Sequence, residues 1–235
     1  MVMHRIAIIL ARSGSKRLPQ KNILDFGEKP MIAWTIEAAI NSNKFDKVLV
    51  STDDEKIANI ASNYKAEVPF LRTEAFDDLS TSSEATYSAF CQAETYWDLE
   101  FDVIAQLMAN CPLRTAQDIN EAISEFDISK APAQLSCTSF GWMNPYWALK
   151  LNENGLPTQL FPGKNNYRSQ NLPKLYCPTG AIWLAKRNDF LSYKSFYMPG
   201  HRFKPIDWIS ALDVDDESDL LMAKACLVLR NNEKE

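Results

Sequence analysis

Over the first 130 residues, short apolar runs rich in β-branched side chains alternate with helical patterns, and no other feature constrains the fold as tightly. Residues 6–10 (IAIIL) are apolar throughout, the pattern of a strand buried on both faces. Residues 31–40 pattern as a helix, and 47–51 (KVLVS) as a second strand. Thr52, Asp53, Asp54 and Glu55 have the spacing of a capping box, and Ile57, Ile60, Ala61 and Tyr64 share one face of the helix that follows. Residues 66–71 predict a third short strand. Thr81 and Glu84 repeat the start signal and open a helix to about residue 96, after which residues 103–108 predict another strand. Thr115 caps a helix whose Ile119, Ala122, Ile123 and Phe126 recur at i, i+3, i+4 and i+7. Such alternation implies an α/β fold: mostly parallel strands, right-handed crossovers and helices on both faces. Ligands of such sheets bind at the carboxyl ends of the strands, near a switch in strand order.

The segment after the first strand occupies that place. In LARSGSKRLPQKN, Arg12, Lys16, Arg17 and Lys21 offer positive heads, and Ser13, Gly14 and Ser15 add donors and a flexible backbone. The net charge is −5, so the cluster stands out, while attraction of the whole chain to nucleic acid or an anionic membrane is not expected. Fixed cations with backbone N–H groups make an anion site, most naturally for a polyphosphate. Neither G-x-x-x-x-G-K-[ST] nor G-x-G-x-x-G is present. A solvated turn is the alternative, and the loop's position weighs against it.

A second constellation lies at residues 211–216 (ALDVDD). On a strand, Asp213 and Asp215 would share a face, and two carboxylates beside a polyphosphate suit Mg²⁺, a hard cation that takes oxygen ligands. Helix capping is the competing role for Asp215 or Asp216. Between these sites, residues 140–176 break the pattern with Trp142, Tyr146, Trp147 and four prolines, an inserted arm too aromatic for a solvated linker. Regular pattern resumes at 180–185, and residues 216–229 predict a last amphipathic helix.

Five widely spaced cysteines with no C-x-x-C pair suggest reduced thiols in a cytoplasmic protein. The N-terminal apolar run is shorter than the core of a signal peptide, and no stretch approaches the roughly 18 apolar residues of a membrane span. Neither nucleic acid nor membrane is an expected partner.

Taken together, LARSGSKRLPQKN, RTEAFDD, NCPLR, PTGAIW and LDVDD resemble the acylneuraminate cytidylyltransferase family, over nearly the whole chain and in family order. That family comprises CMP-sialic acid synthetases and relatives acting on legionaminic and pseudaminic acids. The resemblance implies a three-layer Rossmann-like nucleotidyltransferase, one domain over residues 1–235 with a dimerisation arm at about 140–176. It implies a homodimeric enzyme in which the anomeric hydroxyl of a nonulosonic acid attacks the α-phosphate of CTP, with Mg²⁺ required and pyrophosphate released. Arg12, Ser15, Lys16, Lys21 and Asn22 match the nucleotide motif, Arg72 an arginine near the cytosine, and Ser82 and Ser83 the adjoining region. Asp213 and Asp215 match the paired metal-binding aspartates; Arg12, Lys21 and Asp213 are the implied catalytic residues. On the sugar side, Arg168, Lys150, Trp183, Phe196 and Tyr197 correspond more loosely. Family members specific for sialic acid carry Q-P-T-S-P-L-R where this chain has residues 108–114 (MANCPLR), so the glutamine expected on the sugar is Met108. A thioether has neither hydrogen-bond capacity of an amide, so the pocket favours a deoxy nonulosonic acid bearing a methyl group. Cys111 is expected to be a packed small residue rather than a nucleophile. Two alternatives remain at this point: a nucleotidyltransferase of the same fold for another base or sugar, and a binding protein whose chemistry has lapsed. Retention of both aspartates and both loop lysines argues against the second.

Overall fold

The structure, a computed structural model, describes residues 3–75, 80–164 and 166–232. The end of the RTEAFDD run, residues 76–78, lies outside them. The described strands are β1 (Arg5–Leu10), β2 (Lys47–Ser51), β3 (Val103–Met108), β4 (Ala133–Ser139), β5 (Leu149–Leu151), β6 (Pro157–Gln159), β7 (Tyr176–Lys186) and β8 (Arg202–Pro205). The helices are α1 (Met31–Asn41), α2 (Glu55–Asn63), α3 (Ser82–Trp97), α4 (Ala116–Ser129), α5 (Arg187–Tyr193), α6 (Trp208–Ala211) and α7 (Glu217–Asn232).

Six strands form the central sheet in the order β2-β1-β3-β7-β4-β8. Strand β1 is parallel to both β2 and β3, so the chain switches direction across the sheet at the end of β1, the expected ligand position. Strand β7 runs antiparallel between β3 and β4, and β8 lies parallel to β4 at the edge. The β1 run is buried on both faces as its composition predicts. Ala7 and Ile9 join Ile32 and Ile36 of α1 and Ile119 and Ile123 of α4. Ile6 and Ile8 join Ala85, Ala89 and Phe90 of α3 and Phe190 of α5. The result is a three-layer α/β fold.

Thr81 and Thr115 both close capping boxes, with Glu84 and Asp118 reaching back to the cap N–H. The box at Thr52 is not made. Asp54 caps α2 instead, its carboxylate accepting from the N–H groups of Lys56 and Ile57, while Thr52 is buried and its hydroxyl accepts from the Asp54 N–H. No strand forms over residues 66–71. Glu67 alone bridges to Leu49, and Pro69, which has no N–H to donate, cannot continue a ladder.

The arm carries a two-stranded β5–β6 sheet and a large exposed apolar surface, with Trp142 82% exposed and Met143, Leu149, Leu151 and Leu156 also exposed. A third cluster joins the two ends of the sequence: Leu18, Phe26 and Met31 pack on Val214, Ala223, Cys226 and Leu227. Gly27 permits this approach, having φ +60° and standing where a Cβ would lie 2.4 Å from Leu227 Cδ2.

Candidate active site

A cleft of about 560 Å³ opens at the carboxyl end of β1. The loop after β1 forms one wall with Arg12, Gly14, Ser15, Lys16, Arg17, Lys21 and Asn22, and Arg72, Ser80, Thr81 and Ser82 form a second. Met108 and Asn110, from the end of β3, and Asp213 and Asp215 complete it.

The basic loop is held from below. Asn22 is buried and its side-chain amide donates to the Arg12 carbonyl at 3.0 Å, which makes it a staple of the loop. The Ser13 N–H and hydroxyl both donate to Asp53, at 2.8 and 2.6 Å. Burial raises the Asp53 carboxyl, but these two bonds, its own backbone N–H and the charge of Arg72 together hold the group below the usual carboxylate range.

Asp213 and Asp215 lie in an extended loop between α6 and α7, not on a strand. The alternation survives because Val214, fully buried between them, donates its N–H to the Asn110 carbonyl at 2.8 Å. Asp215 accepts from Lys21 Nζ and Arg17 Nη2, each at 2.6 Å, and from Asn110 Nδ2 at 3.2 Å. Desolvation alone would raise the Asp215 carboxyl; Lys21 and then Arg17 hold it below its ordinary value. Asp213 is open to the cleft, and desolvation followed by the charge of Asp215 pushes it up. Capping of α7 falls to Asp216, which accepts from the N–H groups of Ser218 and Asp219, so Asp215 is free of that duty.

Two hard carboxylates on one wall, one of them destabilised by its neighbour's charge, fit a divalent cation that draws its remaining oxygens from phosphate and water. Among the described residues no group of three or more His, Cys, Asp or Glu side chains could hold a metal by itself.

Arg72 is only 5% exposed, and its Nε and Nη2 have no hydrogen-bond partner. Burial lowers its pKa, against the pull of Asp53. The residue lines the cleft, where a guanidinium suits a ligand edge rich in acceptors.

Comparison with known proteins decides the family. The cytidylyltransferase family model matches residues 6–192. The chain is 33% identical over 223 residues to pseudaminic acid cytidylyltransferase of Campylobacter jejuni (strain 81-176), covering 94% of this chain and 95% of that protein. The CMP-N,N'-diacetyllegionaminic acid synthase of Legionella pneumophila is 31% identical over 234 residues, with 97% of each chain covered. The chain belongs to the cytidylyltransferase family. It is an enzyme of that family. An N-acylneuraminate cytidylyltransferase of Escherichia coli is 31% identical over 97% of this chain, which spans 53% of that longer protein. A solved CMP:2-keto-3-deoxy-manno-octonic acid synthetase, complexed with CTP, shares the fold with a TM-score of 0.69 at 19% identity, covering 97% of this chain and 99% of that one.

In this cytidylyltransferase, the residues matched to the nucleotide and metal motifs all line the cleft except Ser83, which is buried one residue beyond Ser82 on α3. The sugar-side residues are more scattered. Met108 lines the cleft and lies over Gly180 of β7, where a Cβ would stand 2.7 Å from Met108 Cγ. Phe196 is not available to a sugar: it is 0% exposed, with its ring 4.6 Å from Phe190 and 5.5 Å from Trp183. Tyr197 is half exposed and packs edge-on to Trp183 at 5.5 Å, and the Trp183 indole donates to the Thr179 carbonyl. Neither of these two lines the cleft. Lys150 and Arg168 are exposed on the arm, away from this chain's cleft.

Cys111 is fully buried, and desolvation pushes its thiol up to about 12, so it is protonated at neutral pH and is no nucleophile. Its neighbour Arg114 escaped the sequence reading as a structural element. This guanidinium, 2% exposed, donates to the Ala181 carbonyl at 2.5 Å and to the Met108 carbonyl at 3.4 Å, tying β7 to the end of β3. Asn110, Asp53 and the Arg17–Asp215 pair were missed as well, since each partner lies 40 or more residues away.

Proposed function

We propose that this cytidylyltransferase transfers CMP from CTP to the anomeric hydroxyl of a nonulosonic acid, releasing pyrophosphate. One observation carries the reading: the cations of residues 12–21, the acids Asp213 and Asp215 and the buried Arg72 converge in one cleft. Arg12, Ser15, Lys16 and Lys21 hold the triphosphate, Asn22 shapes their loop, and Arg72 meets the cytosine, with Ser82 beside it. The sugar oxygen bonds to the α-phosphorus as the bridge to the β-phosphate breaks, and the hydroxyl proton passes to a phosphate oxygen or to water. Charge builds on the phosphoryl oxygens and on the leaving pyrophosphate, where Arg12 and Lys21 stabilise it. Asp213 and Asp215 hold Mg²⁺, which supplies further positive charge to the phosphates when bound.

Met108 lines the cleft and in this reading meets the acceptor, where its apolar surface favours a deoxy sugar of the pseudaminic or legionaminic type. The relatives from Campylobacter and Legionella bear names of these sugars. The test is pyrophosphate release with CTP, UTP, GTP and ATP crossed with sialic, legionaminic and pseudaminic acids and 3-deoxy-octulosonate. Turnover is expected with CTP and one deoxy nonulosonic acid. Met108→Gln should move the kcat/KM ratio toward sialic acid by about tenfold, the worth of one hydrogen bond. Equal or better turnover of sialic acid by the native protein would overturn the assignment of Met108.

The arm supports a homodimer. Its exposed Trp142, Met143, Leu149, Leu151 and Leu156 form a surface that a second copy would bury, carrying Lys150 and Arg168 toward the acceptor side of the neighbouring cleft. Light scattering should give twice the monomer mass of 26.7 kDa. Trp142→Glu together with Leu151→Glu should shift it to one.

No helix among the described residues is long and apolar enough to cross a membrane. The free thiols fit a reducing cytoplasm, where CTP is available.

A further inference from the structure

We propose that Asn110 is a positioning residue that keeps Asp215 in place when the loop cations turn to phosphate. The proposal rests on the reading of Asp213 and Asp215 as the pair that holds the divalent cation.

The Asp215 carboxylate has three side-chain partners: Lys21 and Arg17 at 2.6 Å and Asn110 at 3.2 Å. The two cations belong to the loop that lines the cleft, and a triphosphate competes for them as a stronger anion than one carboxylate. Nucleotide binding therefore draws Lys21 and Arg17 away from Asp215, at the point where a divalent cation needs that carboxylate held still. Asn110 is a partner of another kind. It is neutral and 4% exposed, and both its side-chain amide and its main chain are tied to Val214. The same Nδ2 donates to the Val214 carbonyl at 3.1 Å, and the Asn110 carbonyl accepts the Val214 N–H at 2.8 Å. Val214 in turn is buried with Leu18, Phe26 and Leu227. The loop after β3 thus grips the acidic loop at a packed point and reaches Asp215 from there. A neutral amide with two acceptors already satisfied gives phosphate little reason to displace it. Asp215 loses its ionic partners on nucleotide binding and keeps this one.

Manganese serves as the probe, with free Mn²⁺ counted by electron paramagnetic resonance on the full-length protein. Titrations are run with and without CTP, and variants are compared at equal CTP so that metal held by free nucleotide cancels. Asn110→Ala should weaken Mn²⁺ binding about tenfold in the presence of CTP, as expected for one lost hydrogen bond to a carboxylate, and by less than threefold without it. Its affinity for CTP in EDTA should stay within twofold of native. Asn110→Thr and Asn110→Val, alike in shape but differing by one hydroxyl donor, decide the case if the alanine variant fails to fold. Threonine should then bind Mn²⁺ at least threefold more tightly than valine, and equality would overturn the proposal. An alanine variant that binds Mn²⁺ like the native protein, while Asp215→Asn loses binding, refutes the role of Asn110 alone. If Asp215→Asn also binds normally, the assignment of the cation site fails and takes this proposal with it.

Discussion

Lys21→Ala is expected to lower kcat by roughly a hundred- to a thousandfold, the usual loss when one preorganised charge is removed from a developing oxyanion. The side chain is mostly enclosed, and its ammonium stands 2.6 Å from Asp215 Oδ1, so the protein positions the charge before any nucleotide arrives. Its removal acts twice. The triphosphate loses a cation at the centre of the cleft, and before nucleotide binds Asp215 keeps only the more exposed Arg17 and the amide of Asn110. Lys21→Arg retains charge but exchanges a compact ammonium for a planar fork, and a partial recovery is expected. Pyrophosphate release under saturating CTP measures both variants, and the melting temperature of Lys21→Ala should stay within a few degrees of native. A kcat within threefold of native would remove Lys21 from the chemistry.

Arg114→Ala should be the most destabilising single change near the site, costing about 2–5 kcal/mol. The guanidinium is buried, and desolvation pulls its pKa down to about 10, which still leaves it charged at neutral pH. Alanine would leave the Ala181 and Met108 carbonyls without this donor and open a cavity between β3 and β7. At roughly 2–4 °C per kcal/mol for a chain of this size, the melting temperature should fall by about 10 °C. Arg114→Met fills the space without supplying a donor, so it should recover only part of the loss. Differential scanning calorimetry distinguishes these outcomes, and a fall of less than 2 °C for the alanine variant would show that the clamp contributes little.

Much of the architecture is legible in the residues because local signals agree with the tertiary fold. Residues 6–10 are apolar throughout and are buried on both faces; Thr81 and Thr115 stand three residues before an acid and cap their helices. The signal fails where burial is polar. Strand β4 carries Gln134 and Ser136, both buried, with Gln134 donating to the Ala122 carbonyl and Ser136 accepting the Ile182 N–H. Its strand character is therefore hidden from any count of apolar residues. The edge strand β8 is masked by Arg202 and Lys204, which pair with Glu125 and keep the sheet edge charged.

In the cleft, the basic loop announces itself by charge density. The acids of residues 213–216 gain meaning only from their partners, with Arg17 and Asp215 separated by 198 positions. Aromatic residues are the least readable: Phe196 and Tyr197 are neighbours in sequence, yet one is sealed in the core and the other half open to solvent. Composition does not distinguish those fates; strand pairing and helix packing do.

The packing of Leu227 on Gly27, with Val214 in the same cluster, has a consequence for the order in which the centre comes into being. A ribosome delivers the basic loop before the acids, with 198 positions between Arg17 and Asp215. Over that stretch the loop exists without its counter-charge at Asp215, and α7, whose Leu227 packs on Gly27, emerges later still. A nascent chain can thus gather phosphate-binding groups early, while the complete centre forms only after the acids and α7 have been made.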